Sequence, residues 1–498
     1  MPKKRKLFSP ITILMIVIVL AAVATWIIPA GRYNTLSYAG NSFKYDTDSG
    51  TVSLLFNKKT LDSLSIFISP EKFAEGSIRK PVAVPGTFHL IPKNSQGAVA
   101  VVEAPVKGII DAIEVILFIL IIGGFMNVFN ETGASVKGLT ALSHRMKGRE
   151  AWLIIILTFL FSFAGSSYGM AEEALVFYPV LVPLYLAAGY DLLVPLAVIY
   201  GGTQLGYLSS FTNPFSTIIA SNAAGINWTD GLVERILMFI VSTGILIWYL
   251  VRYAQKVKKD PTKSIVYKVD GNVKPPFEII DTSGKEEKLS AKNKLLLLLF
   301  LLTFLIMIIG VVWFDWWLVE MSALFIFSSI LMAVITREKE SLFVKKFIAG
   351  AESLLAVAFI VGVARGVTIV LNEGHISDSI LYYSAKMVSG MPSALFIIVL
   401  LILYMVFTLF IASSSGMAVL TMPIIGGLAV IVNVPGREIV NAYLYGMGIM
   451  GFLTPTGLIL PSLSLVNVSI KSWWKFIYPL LLILFIVCVL FLVVGIYI

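Results

Sequence analysis

Charge and cysteine are scarce in this 498-residue chain. Charged residues make up only 13% of it, about half the share of a soluble protein, while hydrophobic residues reach 58%. That imbalance excludes a disordered chain and speaks against a soluble enzyme. The single cysteine, Cys488, lies in an apolar run, so it offers neither an internal disulfide nor a cysteine metal cluster. There are three histidines, His89, His144 and His375, all outside the longest apolar stretches. No H-E-x-x-H and no Walker A segment occurs, which argues against an ATP-driven pump. Lys and Arg outnumber Asp and Glu by 38 to 29, but the excess sits in short loops. There it sets membrane orientation, and no nucleic-acid partner is expected.

The chain does contain a succession of apolar runs long enough to cross a bilayer, which makes it a polytopic membrane protein. The basic segment Met1–Lys6 precedes a run over Ile11–Ile28 that is longer than a signal peptide's apolar core. Residues 1–30 are therefore expected to form a spanning helix with a cytoplasmic N-terminus. Residues 31–95 form a polar loop placed outside, with short strands expected at Thr51–Phe56 and Ala83–Leu90. Further spans fall at 105–129, 192–222, 231–253, 294–312, 317–335, 346–371, 438–469 and 477–497. With the first, these make nine, and the C-terminus lies outside. The basic stretches Arg145–Arg149, Arg252–Lys259, Arg337–Lys346 and Lys471–Lys475 fall on the cytoplasmic side, and loops 223–230 and 313–316 lack Lys and Arg. A polar linker, 254–293, carries Pro275-Pro276 and separates a first half, 96–253, from a second, 294–498.

Two segments depart from this pattern. Residues 151–188 break at Ser166-Ser167-Tyr168-Gly169, and residues 391–432 break at Ser413-Ser414-Ser415-Gly416. Loop charge does not separate two crossings from none. Short first limbs and uncharged small tips favour two re-entrant hairpins, whose backbone is tolerated at membrane depth only where protein or water surrounds it.

The halves also match each other. Gly108, Gly124, Asn130 and Glu131 align with Gly350, Gly366, Asn372 and Glu373 at one constant spacing. The serine tips align too, as do Tyr200-Gly201 and Tyr445-Gly446. An odd number of crossings separates equivalent points, so the repeats are expected to be inverted. Inverted repeats with interrupted helices point to a secondary transporter with a midplane site.

The interruptions carry the candidate chemistry. One long helix breaks at Thr212-Asn213-Pro214, the other at Thr454-Pro455-Thr456. Proline removes a backbone donor and frees a carbonyl, which a coupling cation or a neighbouring hydroxyl can satisfy. Thr212, Asn213 and Thr454 are thus candidate Na⁺ ligands, and Asn213 and Thr456 candidate substrate ligands. A proline kink patched by hydroxyls is the plainer alternative. Glu172 and Glu173 are costly in apolar surroundings and would bind a cation, a proton or a substrate amino group. Their alternative role is charge at a helix N-terminus. Arg365 sits mid-span and would meet an anionic substrate or lock to Asp111, Glu114 or Glu352. The lock is expected, because the matching residue is Gly123. Gly165–Gly169 formally matches G-x-S-x-G but lacks the strand–turn–helix setting, so no enzyme is expected.

Trp26–Gly31, Gly169–Glu173, Gly206–Thr217 and Thr454–Thr456 resemble the YfcC-type members of the anaerobic four-carbon-dicarboxylate (DcuC-like) carrier family, within the ion transporter superfamily. The resemblance covers most of the chain except the 31–95 loop and the linker. It implies an all-α scaffold and a moving transport domain of elevator type, in a homodimer in the bacterial plasma membrane. It also implies that the tips, with Ser166, Ser167, Gly169, Ser414, Ser415 and Gly416, face substrate, with Ser166 and Ser414 also at Na⁺. The Ser-Asn-Thr signature of the sodium-dicarboxylate branch is absent from both tips. The expected function is secondary transport of a small carboxylate-bearing metabolite, a C4-dicarboxylate or an amino acid, coupled to Na⁺, to H⁺ or by exchange. Basic amino-acid antiport is the alternative within that class, and a channel or non-transporting subunit the alternative outside it. No cofactor beyond Na⁺ is expected.

Overall fold

Three of the apolar helices begin on a serine whose hydroxyl accepts a first-turn N–H: Ser9 from Thr12, Ser290 from Asn293 and Ser469 from Ser472. Pro10 follows the first of these caps, where its missing N–H costs nothing. The computed structural model describes residues 9–271 and 289–498, apart from 67, 75–77, 79–80, 147–148, 315, 389 and 412. The basic N-terminal segment and Pro275-Pro276 lie outside the described residues, as do most side chains of the Arg145–Arg149 loop.

Among the described residues, eight helices are long and apolar enough to span a bilayer. Seven coincide with expected spans: Pro10–Ile27, Ile113–Glu131, Leu232–Lys259, Ala291–Gly310, Leu318–Thr336, Leu355–Glu373 and Ile470–Tyr497. The eighth is Glu150–Ser167, the first limb of the first hairpin, which at 18 residues is longer than the sequence suggested. The expected spans 192–222 and 438–469 are not continuous. The first runs through Leu193–Leu196 and Gly202–Leu208, unwinds over 209–213, and resumes as Pro214–Ile218 and Ile219–Ala223. The second runs Gly436–Gly451, unwinds over 452–458, and resumes at Ile459–Val466. Each break falls where Pro214 or Pro455 denies the helix a donor.

The helices sort into two packed groups. In the paired-helix group, Ala98–Asp111 packs along Leu355–Glu373, while Ile113–Glu131 packs along Glu340–Ser353. Each segment of one half thus meets the non-corresponding segment of the other. Pro10–Ile27, Ala291–Trp313 and Leu318–Thr336 complete this group. The matched glycines lie at its crossings. A Cβ on Gly108 would stand 2.6 Å from the Gly366 nitrogen, and one on Gly350 would overlap the Gly123 carbonyl. In the hairpin group, Glu150–Ser167 packs on Gly202–Leu208 and Ser393–Phe410 packs on Gly436–Gly451. Leu232–Lys259 and Ile470–Tyr497 pack against the two hairpins' first limbs. A short helix, Ile265–Asp270, fastens to this group. Ser264 donates to Asp191 at 2.7 Å, and Asp270 accepts from the Ser469 N–H at 3.1 Å.

The chain is not wholly helical. Residues 31–95 hold a four-stranded antiparallel sheet of Gly50–Leu55, Ser42–Thr47, Thr35–Ala39 and Val82–Ala83, in that spatial order, plus the pair Gly31–Arg32 with His89–Leu90. The strand expected near Thr51–Phe56 is present, and Ala83–Leu90 holds only two strand ends. Leu36, Phe43, Leu61 and Phe73 form a core beneath the sheet. This domain docks on helix Ser377–Val388: Phe88 stacks on Tyr382 at 4.0 Å, and the Tyr33 N–H donates to Asp378 at 3.0 Å. Strand Val82–Ala83 also touches the helix Ser414–Ile431. Arg32, then His89, hold the Asp48 carboxyl below its ordinary value of 3.8. The contribution of this cluster is complete above that value and is lost as pH falls through the lower native one. Thermal unfolding of the sheet domain is expected to show this acid sensitivity, and Asp48→Asn to flatten it.

Candidate functional site

A helix leaves its last four carbonyls without partners. At the end of Glu150–Ser167, most of those groups are satisfied by the break in the neighbouring helix. Asn213 Nδ2 donates to the Gly165 carbonyl at 3.2 Å, and Phe211 and Thr212 donate their N–H groups to the Ser166 carbonyl at 3.2 and 3.3 Å. Thr212 Oγ1 donates to the Ser167 carbonyl at 3.0 Å, and the Tyr207 hydroxyl to that of Gly169 at 2.8 Å. In return Ser166 Oγ donates to the Ser209 carbonyl at 2.7 Å, and Asn213 Oδ1 accepts the Phe215 N–H at 2.8 Å. Ser167 bonds back to its own helix, donating to the Phe163 carbonyl at 2.7 Å. The hairpin end and the helix break therefore complete each other.

Gly169 makes the turn. Its φ is +84°, and a Cβ there would lie 2.7 Å from Asn213 Oδ1, so only glycine fits on both counts. The chain continues through a 3₁₀ turn, Glu172–Phe177. Glu173 is buried and accepts the Ala171 N–H at 2.8 Å, as an acid at a helix start does.

At the second hairpin the Tyr443 hydroxyl donates to the Ser414 carbonyl at 2.9 Å. Thr456 donates to the Leu409 carbonyl at 3.4 Å, and the Thr454 and Thr456 hydroxyls share a hydrogen bond of 2.8 Å. Helix Ser414–Ile431 starts with Ser414, Ser415 and Gly416. Serine caps helices well, and the Ser413 hydroxyl accepts the Gly416 N–H at 3.1 Å. Ser414 Oγ donates to the Phe215 carbonyl at 3.3 Å, joining the second hairpin to the first break.

Between these elements lies a cavity of about 230 Å³. Of the residues singled out in the sequence, Gly169, Glu172, Glu173, Ser414, Ser415 and Thr454 line it. Ser166, Ser167, Thr212, Asn213, Gly416 and Thr456 do not. Tyr200 and Tyr207, which fall in the matched segments, also line it, as do Gln204, Thr408 and Trp317, which nothing in the sequence marks. Gln204 donates to the Gly448 carbonyl at 3.1 Å, and Trp317 sits on Phe215 with ring centroids 4.7 Å apart. Arg365 lines the cavity as well. Of its three expected acid partners only Asp111 comes near, at the outer limit of an ion pair, 4.0 Å.

The oxygens proposed for Na⁺ at the first break, those of Ser166, Thr212 and Asn213, already serve hydrogen bonds within the protein. Among the described residues, no group of three or more His, Cys, Asp or Glu would hold a metal ion. Ser166→Ala is expected to cost about 1–3 kcal/mol, since it leaves the buried Ser209 carbonyl without a donor. Thermal unfolding in detergent would measure it.

Two interrupted helices, two hairpins and a charged cavity enclosed by apolar spans define a membrane transporter. Residues 7–497 match the C4-dicarboxylate anaerobic carrier family, DcuC, and the chain belongs to it. An uncharacterised protein of Haemophilus influenzae is 39% identical over 487 residues, covering 96% of this chain and 95% of its own. YfcC of Escherichia coli, provisionally named a basic amino acid antiporter, is 28% identical over 497 residues, covering 96% and 94%. Among solved structures, MtrF of Neisseria gonorrhoeae, from a class of antimetabolite efflux pumps, overlays with a TM-score of 0.42 at 15% identity, covering 99% and 96% of the two chains. The Alcanivorax borkumensis YdaH transporter overlays at 0.40 and 12%, covering 97% of each.

Proposed function

We propose that this carrier exchanges small amino acids that bear a second cationic group. The observation that carries this reading is the charge of the cavity: two carboxylates, Glu172 and Glu173, face one guanidinium, Arg365. A ligand with one carboxylate and two ammonium-type groups complements that set. A C4-dicarboxylate would bring two further negative charges to a site with a single cation, and like charges in a low-dielectric site repel strongly. The name given to the Escherichia coli relative agrees with this choice.

In this reading the two halves are inverted repeats, and the hairpin group is the moving part of an elevator. The paired-helix group is the fixed scaffold, through which a homodimer would form. Ser166, Thr212 and Asn213 act as rivets between hairpin and broken helix rather than as Na⁺ ligands, and coupling is by exchange.

Counterflow in proteoliposomes tests the proposal. Labelled L-arginine or L-lysine should enter saturably, and faster when unlabelled amino acid is inside. Uptake linear in concentration would favour a channel. Exchange of succinate but not arginine would return the site to dicarboxylates. Transport driven by a Na⁺ gradient and weakened by Asn213→Ala would restore the cation at the break.

A further inference from the structure

Each edge of a β-sheet presents backbone N–H and C=O groups without partners, which proteins normally cover or guard. The sheet of residues 31–95 treats its two edges differently. At one edge Val82–Ala83 is only two residues long, buried, and touched by helix Ser414–Ile431. At the other, Gly50–Leu55 runs six residues and is exposed except at Leu54, which is half-buried. Its register on Ser42–Thr47 is unbroken from one end to the other, so no bulge turns the edge away. The strand also contains no charged residue and no proline, the other usual guards. Val52 and Leu55 are 51% and 75% exposed on it.

We propose that the edge Gly50–Leu55 pairs antiparallel with the same edge of a second copy of this chain, joining two sheets into one. The inference does not depend on the carrier reading, and it adds an interface outside the spans to any contact between paired-helix groups. The strand is self-complementary in that direction. A two-fold axis at Ser53 sets Val52 opposite Leu54, and Thr51 opposite Leu55, of the second copy. Residues opposite one another in an antiparallel pair share a face. Within the sheet Val52 and Leu54 stand opposite Tyr45 and Phe43, and Phe43 is fully buried. The pairing therefore extends the face that buries Phe43 and covers the half-open Val52.

The ends of the strand match in charge. Asp46 and Asp48 precede it, the latter paired with Arg32 and His89, and the exposed Lys58 and Lys59 follow it. Antiparallel pairing lays the Asp48 end of each copy beside the Lys58 end of the other, whereas parallel pairing would set like charges together. Both copies are held in one bilayer with this domain on the same side. That confinement raises their effective concentration, so a contact of modest area suffices.

Disulfide trapping in native membranes tests the pairing, using the full-length protein with Cys488→Ala and Ser53→Cys. Opposite Cβ atoms lie about 4.5–5.5 Å apart, close enough for a disulfide after slight adjustment. Mild oxidation should yield a disulfide-linked dimer. Lys44→Cys is the control, because Lys44 is exposed and is the register partner of Ser53 one strand inward. Its thiols would stand roughly 14 Å apart, three strand spacings, and should stay unlinked. Adding Val52→Lys to the Ser53→Cys chain puts a charge on the edge and should cut the dimer yield about tenfold. Lys58→Glu with Lys59→Glu should also lower the yield, while acids suit the helix start those residues occupy. Thermal unfolding of both variants should match the parent. A Ser53→Cys yield no higher than that of Lys44→Cys, or one that neither edge variant moves, would overturn the pairing. So would linkage of Ser53→Cys to a different protein, which would assign the edge to another partner.

Discussion

Replacing both Glu172 and Glu173 with glutamine is expected to weaken arginine transport by about 100-fold or more, since losing the partner of a desolvated charge costs about 2–5 kcal/mol. Glutamine preserves size and leaves an oxygen to accept the Ala171 N–H, now held by Glu173 at 2.8 Å. The hairpin turn should therefore survive. The cavity changes from one with an excess carboxylate to one holding Arg365 alone. Affinity for cationic amino acids should fall while that for dicarboxylates rises. Competition of succinate against labelled arginine, in parent and double variant, reads both changes. A double variant that still prefers arginine would show that the acids serve the hairpin's helix start and not the ligand.

The largest effect on stability is expected at Gly206. A Cβ there would lie 2.7 Å from the Ser166 nitrogen and 2.8 Å from the Gly165 carbonyl carbon. These are backbone atoms in the helix that the break completes, so no side-chain rotation relieves the clash. Gly206→Val should cost at least about 3 kcal/mol and separate the hairpin from its rivets. Gly244 is the contrast, with nothing within 4 Å of the place a Cβ would take. Gly244→Ala should be neutral or stabilise by about 0.5–1 kcal/mol through helix propensity. Thermal unfolding monitored in the same detergent compares the two.

The long spans were legible because length and hydrophobicity suffice to mark a crossing, and the breaks because a proline inside an apolar run interrupts the donor ladder of its helix. The glycine match was legible as a pattern, but its cause was not, since the sequence does not tell which glycine approaches which backbone. At the site, Glu172, Glu173 and Arg365 stood out as charges in apolar surroundings. That they line one cavity is a tertiary fact, which no local pattern carries. Ser166, Thr212 and Asn213 have the same atoms whether they ligate a cation or finish a helix end. Residue type alone did not separate the two. Gln204 carries no local signal, being an ordinary member of a helix face that packing turns toward the cavity, and Trp317 stands at the start of Leu318–Thr336. The serine run at the second break also starts a helix, Ser414–Ile431, since serine suits a helix start as well as a loop.

The sheet domain makes the two hairpins mechanically unequal. It is anchored to Ser377–Val388 by the Phe88–Tyr382 stack and also rests, through Val82–Ala83, on the returning limb Ser414–Ile431. Any excursion of the second hairpin relative to Ser377–Val388 must shear that packing. The returning limb of the first hairpin, Tyr178–Ala187, packs instead on the helix Ala134–Met146, and the turn Glu172–Phe177 on Ile113–Glu131. The two hairpins, alike in sequence pattern, are thus backed by different materials: a β-sheet domain lies against the second, and helices alone against the first among the described residues.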